Sequence, residues 1–280
     1  MRVGGRADRE KGAVARDSRM AEFNDVYRRA KYYDIAFWRD VTDEVTFIQD
    51  IYRRRLGRPL RTFLDICCGP GYHARIAAAR GIRAHGLDIR PEMCAYAEEL
   101  ARLDGVEVIW HAADMRTVRL AEPVDMAFTS FDGLDCLHTT DEIVAHLCTV
   151  AANLTPRGLY LVEATHPRRS SLSYYGDFQY KGERNGTKVC VDWATNRPVV
   201  DPLTQVADVE VIMHVAENGH EFTIVDHARE RFYTSQEYIA LAKLSGVLDV
   251  IDFFGDFAVD CPLDMSPISQ RTLVLMQKKD

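Results

Sequence analysis

The chain has 280 residues, 47% of them hydrophobic and 28% charged, with a net charge of −7. That is the composition of a soluble globular protein with one large core or two modest ones. The acidic balance argues against a nucleic-acid or anionic-membrane partner, and no apolar run nears the roughly 20 residues that span a bilayer.

Taken in chain order, residues 1–20 carry six Arg or Lys against three Asp or Glu, a local +3 that leaves −10 on the rest. Without an apolar run they are not a secretory signal, and a disordered tail is expected there. Residues 21–56 look helical and amphipathic, with an aromatic cluster at Tyr27, Tyr32, Tyr33, Phe37 and Trp38. From residue 61, short apolar runs alternate with helix-like segments, which predicts an α/β fold with a mainly parallel sheet. Strands are expected at 61–66, 83–88, 106–110, 124–129 and 158–164, and helices near 72–80, 91–103 and 140–154.

The pattern changes after Pro167. Lys188 to Trp193, Gln205 to Val215 and Glu221 to Phe232 read as β-rich pieces, with turns at Asp201-Pro202 and Asn218-Gly219. The second turn is a hairpin signal. Thr234 to Ser245 reads as a helix whose Thr234 and Glu237 have capping-box spacing. Strands near 248–254 and 271–277 close the chain. Seven cysteines, at 67, 68, 94, 136, 148, 190 and 261, lack paired metal spacing, so no metal site is expected and reduced cytoplasmic thiols are the default.

The densest signal is Phe63-Leu64-Asp65-Ile66-Cys67-Cys68-Gly69-Pro70-Gly71-Tyr72-His73-Ala74. An apolar strand ends in an acid, turns through two glycines and enters an alanine-rich helix. Glycine lets backbone N–H groups approach a ligand, and the helix aims its positive end there. A dinucleotide site also fits glycine-x-glycine-x-x-alanine. Asp65, however, would repel a diphosphate and suits a ligand with cationic groups.

This turn resembles the first motif of class I S-adenosylmethionine-dependent methyltransferases, and the resemblance extends over most of residues 30–280. It implies a Rossmann-like, seven-stranded, mostly parallel sheet with a β-rich insertion after the fifth strand. The catalytic domain would comprise 21–167 and 233–280, with 21–56 as a helical lid and 168–232 as a substrate-side insertion. The cofactor implied is S-adenosylmethionine. Asp88, at the second strand end, would accept the ribose hydroxyls, Asp114 the adenine amino group, and Met115 would pack on the ring. Tyr33 resembles a tyrosine that lids the cofactor. Asp65, Cys67, Gly69, Gly71, Ile89, Met93 and Ser130 complete the expected cofactor set.

Within the family the chain is most similar to small-molecule enzymes of the amino-sugar and glycine N-methylating type. Glu163-Ala164-Thr165-His166-Pro167 and Tyr233-Thr234-Ser235-Gln236-Glu237 support that grouping. Methyl transfer to nitrogen requires an ammonium to shed a proton first, which a His or carboxylate can take. His166, at a strand end expected to face the cleft, is the leading base, followed by His138 and Asp132; Asp135 is a further acid that could hold an amine. Such enzymes place a His or Tyr in the loop after the fourth strand, where this chain has Cys136.

Tyr174, Tyr175, Phe178, Tyr180 and Trp193 suit either a substrate wall or the packing of a β-subdomain or homodimer. The predicted activity is methyl transfer to a small molecule, through nitrogen, with O-methylation as the nearest alternative. An NAD-dependent oxidoreductase and a non-catalytic cofactor-binding protein are the remaining readings.

Overall fold

The computed structural model describes residues 25–280; the predicted tail over 1–20, and residues 21–24 of the predicted lid, lie outside the described residues. The central sheet has seven strands: β1 Thr62–Ile66, β2 Arg83–Asp88, β3 Val108–Ala112, β4 Val124–Thr129, β5 Leu154–Thr165, β10 Leu248–Phe254 and β11 Arg271–Lys278. Their spatial order is β3-β2-β1-β4-β5-β11-β10. Strands β1 to β5 run parallel, and β11 lies antiparallel between β5 and β10. The order reverses between β1 and β4, so a crevice opens beyond their carboxyl ends.

Helices cover both faces: α2 Thr42–Leu56, α3 Tyr72–Ala79, α4 Pro91–Asp104, α5 Thr140–Asn153 and α6 Ser235–Ser245. Alternation along β1 divides the core, because successive strand side chains point to opposite faces. Leu64 and Ile66 join Ile143, Leu147 and Leu241 on one side, while Phe63 joins Val45, Ile48 and Ala77 on the other. Both late-chain signals hold. Thr234 and Glu237 form a complete capping box, and Asn218 and Gly219 both adopt positive φ in the hairpin.

The differences from expectation have local causes. The third strand starts at Val108 because α4 closes over Gly105, at φ +69°, with the Val106 N–H on the Ala101 carbonyl. The N-terminal segment is not one continuous helix. After a short 3-10 turn over Asp25–Arg28, α1 covers Ala30–Phe37 and ends at Trp38. Asp40 then accepts the Thr42 N–H at 2.9 Å as α2 begins.

The insertion is a four-stranded antiparallel sheet, β6 Phe178–Arg184, β7 Thr187–Trp193, β8 Val206–Glu217 and β9 His220–Arg231, in that order. Strand β6 was missed from sequence, since Gly182 interrupts a weakly apolar run. Its reason is the lid. Ile35, Ala36 and Phe37 of α1 pack on Val191, Val211 and Met213 of this sheet. A Cβ at Gly182 would sit 1.7 Å from the Ile35 carbonyl oxygen. Helix α1 is thus enclosed between the insertion and the main domain.

Replacing Gly182 with alanine should force α1 off β6 and lower unfolding stability by about 2 kcal/mol, the usual scale of overpacking. Urea unfolding measures this, and a wild-type midpoint would show that the contact yields freely.

Candidate active site

A cavity of about 510 Å³ lies over the carboxyl ends of β1, β2 and β4. Tyr33, Cys67, Gly69, Asp88, Ile89, Met93, Asp114, Met115 and Ser130 line it, together with Asp132 and His138. Asp65, Gly71 and His166 do not.

The turn after β1 is built under constraint. Cys67, Gly69 and Gly71 all have positive φ, which costs a non-glycine residue such as Cys67 conformational energy. The Gly69 N–H donates to Asp88 Oδ2 at 3.1 Å, and Asp88 Oδ1 accepts the Arg90 N–H at 2.9 Å. Asp88 therefore shapes the turn while lining the cavity. Burial still raises its pKa, against the pull of those backbone N–H groups. Gly71 serves packing: a Cβ there would meet the Trp110 ring at 2.3 Å. The expectation that Gly71 spares room for the ligand is replaced by one in which it spares room for Trp110.

Asp65 is fully buried below the turn. Its Oδ2 accepts the Ala74 N–H at 3.2 Å, while Oδ1 has no hydrogen-bond partner. Burial pushes its pKa up to about 7, with the nearby His73 pulling the other way. A buried carboxylate oxygen without a donor is costly and suits a positively charged neighbour.

The far wall is set by the loop after β3. Arg116 engages both oxygens of Asp114, and its Nη1 donates to Glu142 at 2.6 Å. The Arg116 hydrogen bonds hold the Asp114 carboxyl below its usual range, so it is a charged acceptor already in use. Met115 is anchored from behind by a buried chain. His146 Nδ1 donates to its carbonyl at 3.3 Å, and Tyr160 donates to His146 Nε2 at 2.7 Å. Ile89, at the cavity edge, is 61% exposed.

Two residues that carried no sequence signal, Arg39 and Glu230, also shape the site, with Tyr27 of the aromatic cluster. Arg39 lies over the Phe131 ring, 5.2 Å from its centroid, and pairs with Glu44 and Glu163. Tyr27 enters from the lid, and Glu230 from β9. Arg39 and Glu230 belong to no motif, because each reaches the site from a distant part of the chain.

An inner pocket of about 90 Å³ continues from the cavity. Tyr27, Tyr33, Phe37, Phe131, Asp132, Asp135 and Glu230 line both spaces, and Tyr175, Phe178, Tyr180 and Trp193 close the inner one. Among the described residues no Lys or Arg lines it. The predicted aromatics thus pack together and wall the pocket, except Tyr174, which is 57% exposed.

The catalytic candidates separate. His166 is buried outside the cavity: Nδ1 accepts the Arg168 N–H at 3.1 Å and Nε2 donates to the Asp264 carbonyl at 2.9 Å. The chain turns onto the 264–269 segment at this point, so the strand-end position does not face the cleft as expected. His138 lines the cavity and donates from Nε2 to the Arg229 carbonyl at 2.8 Å. Asp132 accepts the Thr165 N–H and hydroxyl, at 2.5 and 2.7 Å. Its pKa is pushed up to about 6, chiefly by burial.

These residues fit the cofactor that the resemblance implies. Gly69 is open on its Cβ side to the Tyr33 ring at 3.8 Å, Ile89 offers an exposed apolar face, and Asp88 lines the cavity as an acceptor for hydroxyl groups, while Asp65 lies buried beneath the turn. Asp88→Ala should therefore weaken S-adenosylhomocysteine binding roughly 100-fold, since hydrogen bonds to a charged group are worth about 1.5–3 kcal/mol each. Isothermal calorimetry reads this directly; unchanged affinity would remove Asp88 from the site.

Comparison with known proteins agrees with this geometry. Residues 63–158 match a family described as a methyltransferase domain. Over 137 residues the chain is 28% identical to a dTDP-3-amino-3,4,6-trideoxy-α-D-glucopyranose N,N-dimethyltransferase of Streptomyces venezuelae, covering 48% of this chain and 56% of that protein. The chain spans about half the length of the curated relatives it matches. A solved S-adenosylmethionine-dependent methyltransferase of Clostridium acetobutylicum ATCC 824 superposes with a TM-score of 0.73 at 15% identity, covering 92% of this chain and all of that one. An S-adenosylmethionine-bound amino pentose methyltransferase of Micromonospora echinaspora gives 0.65 at 22% identity, covering 91% and 96%. Residues 63–158 thus carry a methyltransferase domain, set in the fold that solved S-adenosylmethionine-dependent methyltransferases share.

Proposed function

We propose that the protein methylates an amine nitrogen on a small molecule, of the kind an amino sugar carries. The observation that carries this reading is the inner pocket, where three carboxylates and a shell of aromatic rings open into the larger cavity, with no Lys or Arg among the described residues that line the inner pocket. Such surroundings favour a cation, through charge and through ring faces. The dTDP-amino-sugar N,N-dimethyltransferases among its relatives support the same class of acceptor.

When bound, S-adenosylmethionine supplies a methyl group on a positively charged sulfur, transferred as the acceptor lone pair forms an N–C bond and the C–S pair stays on sulfur. The chain's own contribution is placement, exclusion of water and removal of the acceptor's proton. Tyr33 and Phe37 stack at 4.4 Å between ring centroids, and Phe37 lies 4.3 Å from Tyr180. These rings join lid and insertion into an apolar roof over the reaction space.

The partner is a small molecule, and among the described residues no helix is long and apolar enough to cross a membrane. Incubation with methyl-labelled S-adenosylmethionine and a panel of free and dTDP-linked amino sugars tests the reading, beside the matching hydroxy sugars. Label is expected on nitrogen of at least one amino sugar. Transfer only to the hydroxy compounds would replace it with O-methylation.

A further inference from the structure

Nitrogen methylation needs a proton acceptor beside the amine, and the histidines near the cavity are committed elsewhere. His73 Nε2 lies 2.7 Å from Glu44 Oε2, His166 is turned away, and His138 lines the outer cavity but not the inner pocket. The pocket's carboxylates differ in how they are held. Both oxygens of Asp132 accept from Thr165. Glu230 accepts from Trp193 Nε1 at 3.0 Å and from the Tyr175 hydroxyl. Asp135 lines both spaces, and its carboxylate has no hydrogen-bond partner among the described residues.

The backbone around Asp135 is fixed from two sides. Its N–H donates to the Asp132 carbonyl at 2.9 Å, and its carbonyl accepts the Arg231 N–H at 2.8 Å, across the junction with the insertion. Phe131 and Asp132 both adopt positive φ, the tight turn that directs this loop inward. Around the carboxylates stand Tyr27 and Trp193, with ring centroids 6.3 Å apart, and Tyr33, 5.5 Å from Tyr27.

We infer that Asp135 is the group that meets the acceptor's ammonium and takes its proton, with Glu230 as a second anchor held by the insertion. In this step the ammonium N–H bond breaks, its electron pair stays on nitrogen as the lone pair, and the proton forms an O–H bond on an Asp135 oxygen. Burial, with the negative Asp132 and Glu230 beside it, raises the Asp135 pKa well above the usual carboxylate range. Burial, with the charge of Asp132, takes Glu230 to about 7. Raised carboxylates are better matched to an amine proton than ordinary ones.

The inference rests on the methyl-transfer reading, and its test separates the two. Dimethylammonium chloride is titrated into the S-adenosylhomocysteine-saturated protein and followed by saturation-transfer NMR, for wild type, Asp135→Asn and Glu230→Gln. Wild type should bind, Asp135→Asn should bind at least tenfold more weakly and Glu230→Gln several-fold more weakly, with S-adenosylhomocysteine affinity within twofold throughout. With an acceptor that turns over, Asp135→Asn should also lower kcat about 100-fold or more. Equal dimethylammonium binding by wild type and Asp135→Asn, or none by wild type, overturns the inference. Failure of wild type to bind S-adenosylhomocysteine would instead overturn the methyl-transfer reading.

Discussion

Asp34 is the point on which the site's geometry turns. It lies on α1 with 1% of its surface exposed, and its carboxylate accepts from Tyr72 of α3 at 2.7 Å, Tyr96 of α4 at 2.8 Å and Arg184 of β6. A buried carboxylate is tolerated only with such partners. Its three donors come from two helices of the main domain and from the insertion, so a single side chain sets where the lid lies relative to each. The net stabilisation from a buried ion pair is small, because desolvation offsets much of the attraction. What the arrangement defines is position: Tyr33 over the glycine turn, and Phe37 against Tyr180.

With the lid in place, the electrostatics of the interior follow. The main domain puts Asp65 and Asp88 under the turn and Asp132 and Asp135 in the loop after β4, while the insertion adds Glu230. Arg39, the cation nearest to them on the lid side, is bound to Glu44 and Glu163, and its pKa is raised even against burial. Arg271 holds the other side of Glu163. The inner pocket is therefore acidic, with no Lys or Arg among the described residues that line it, while Arg39, Arg90, Arg116 and Arg229 line the outer cavity. The ammonium acceptor proposed above suits the field of that inner pocket.

Local signals in the sequence were reliable because their physics is local. The Asp65 to Gly71 turn, the Asn218-Gly219 hairpin and the Thr234–Glu237 capping box each depend on residues a few positions apart, and each is present in the fold. The seven-stranded sheet and the insertion were legible from the spacing of apolar runs with the motif. What could not be read depends on distant contacts. Asp34 reaches partners 38, 62 and 150 positions away. Gly182 looks like a strand breaker until the Ile35 carbonyl is seen against it. His166 fails for the same reason: it bonds Asp264 and the adjacent Arg168 donates to Ser269, both about a hundred positions along the chain, and these contacts turn its loop away. Glu230 sits in a strand whose alternation marks no function, and only its Trp193 and Tyr175 donors point it into the pocket.

The central claim is that lid, turn and insertion enclose one binding space as a unit, through Asp34. Hydrogen–deuterium exchange with and without S-adenosylhomocysteine tests it most directly. The account predicts that the ligand slows exchange together in Ala30–Phe37, in the turn at 67–71 and in Phe178–Arg184, and that Asp34→Asn uncouples the first and third from the second. Protection confined to the turn and to the Asp88 loop, with the lid and β6 unaffected, would contradict it.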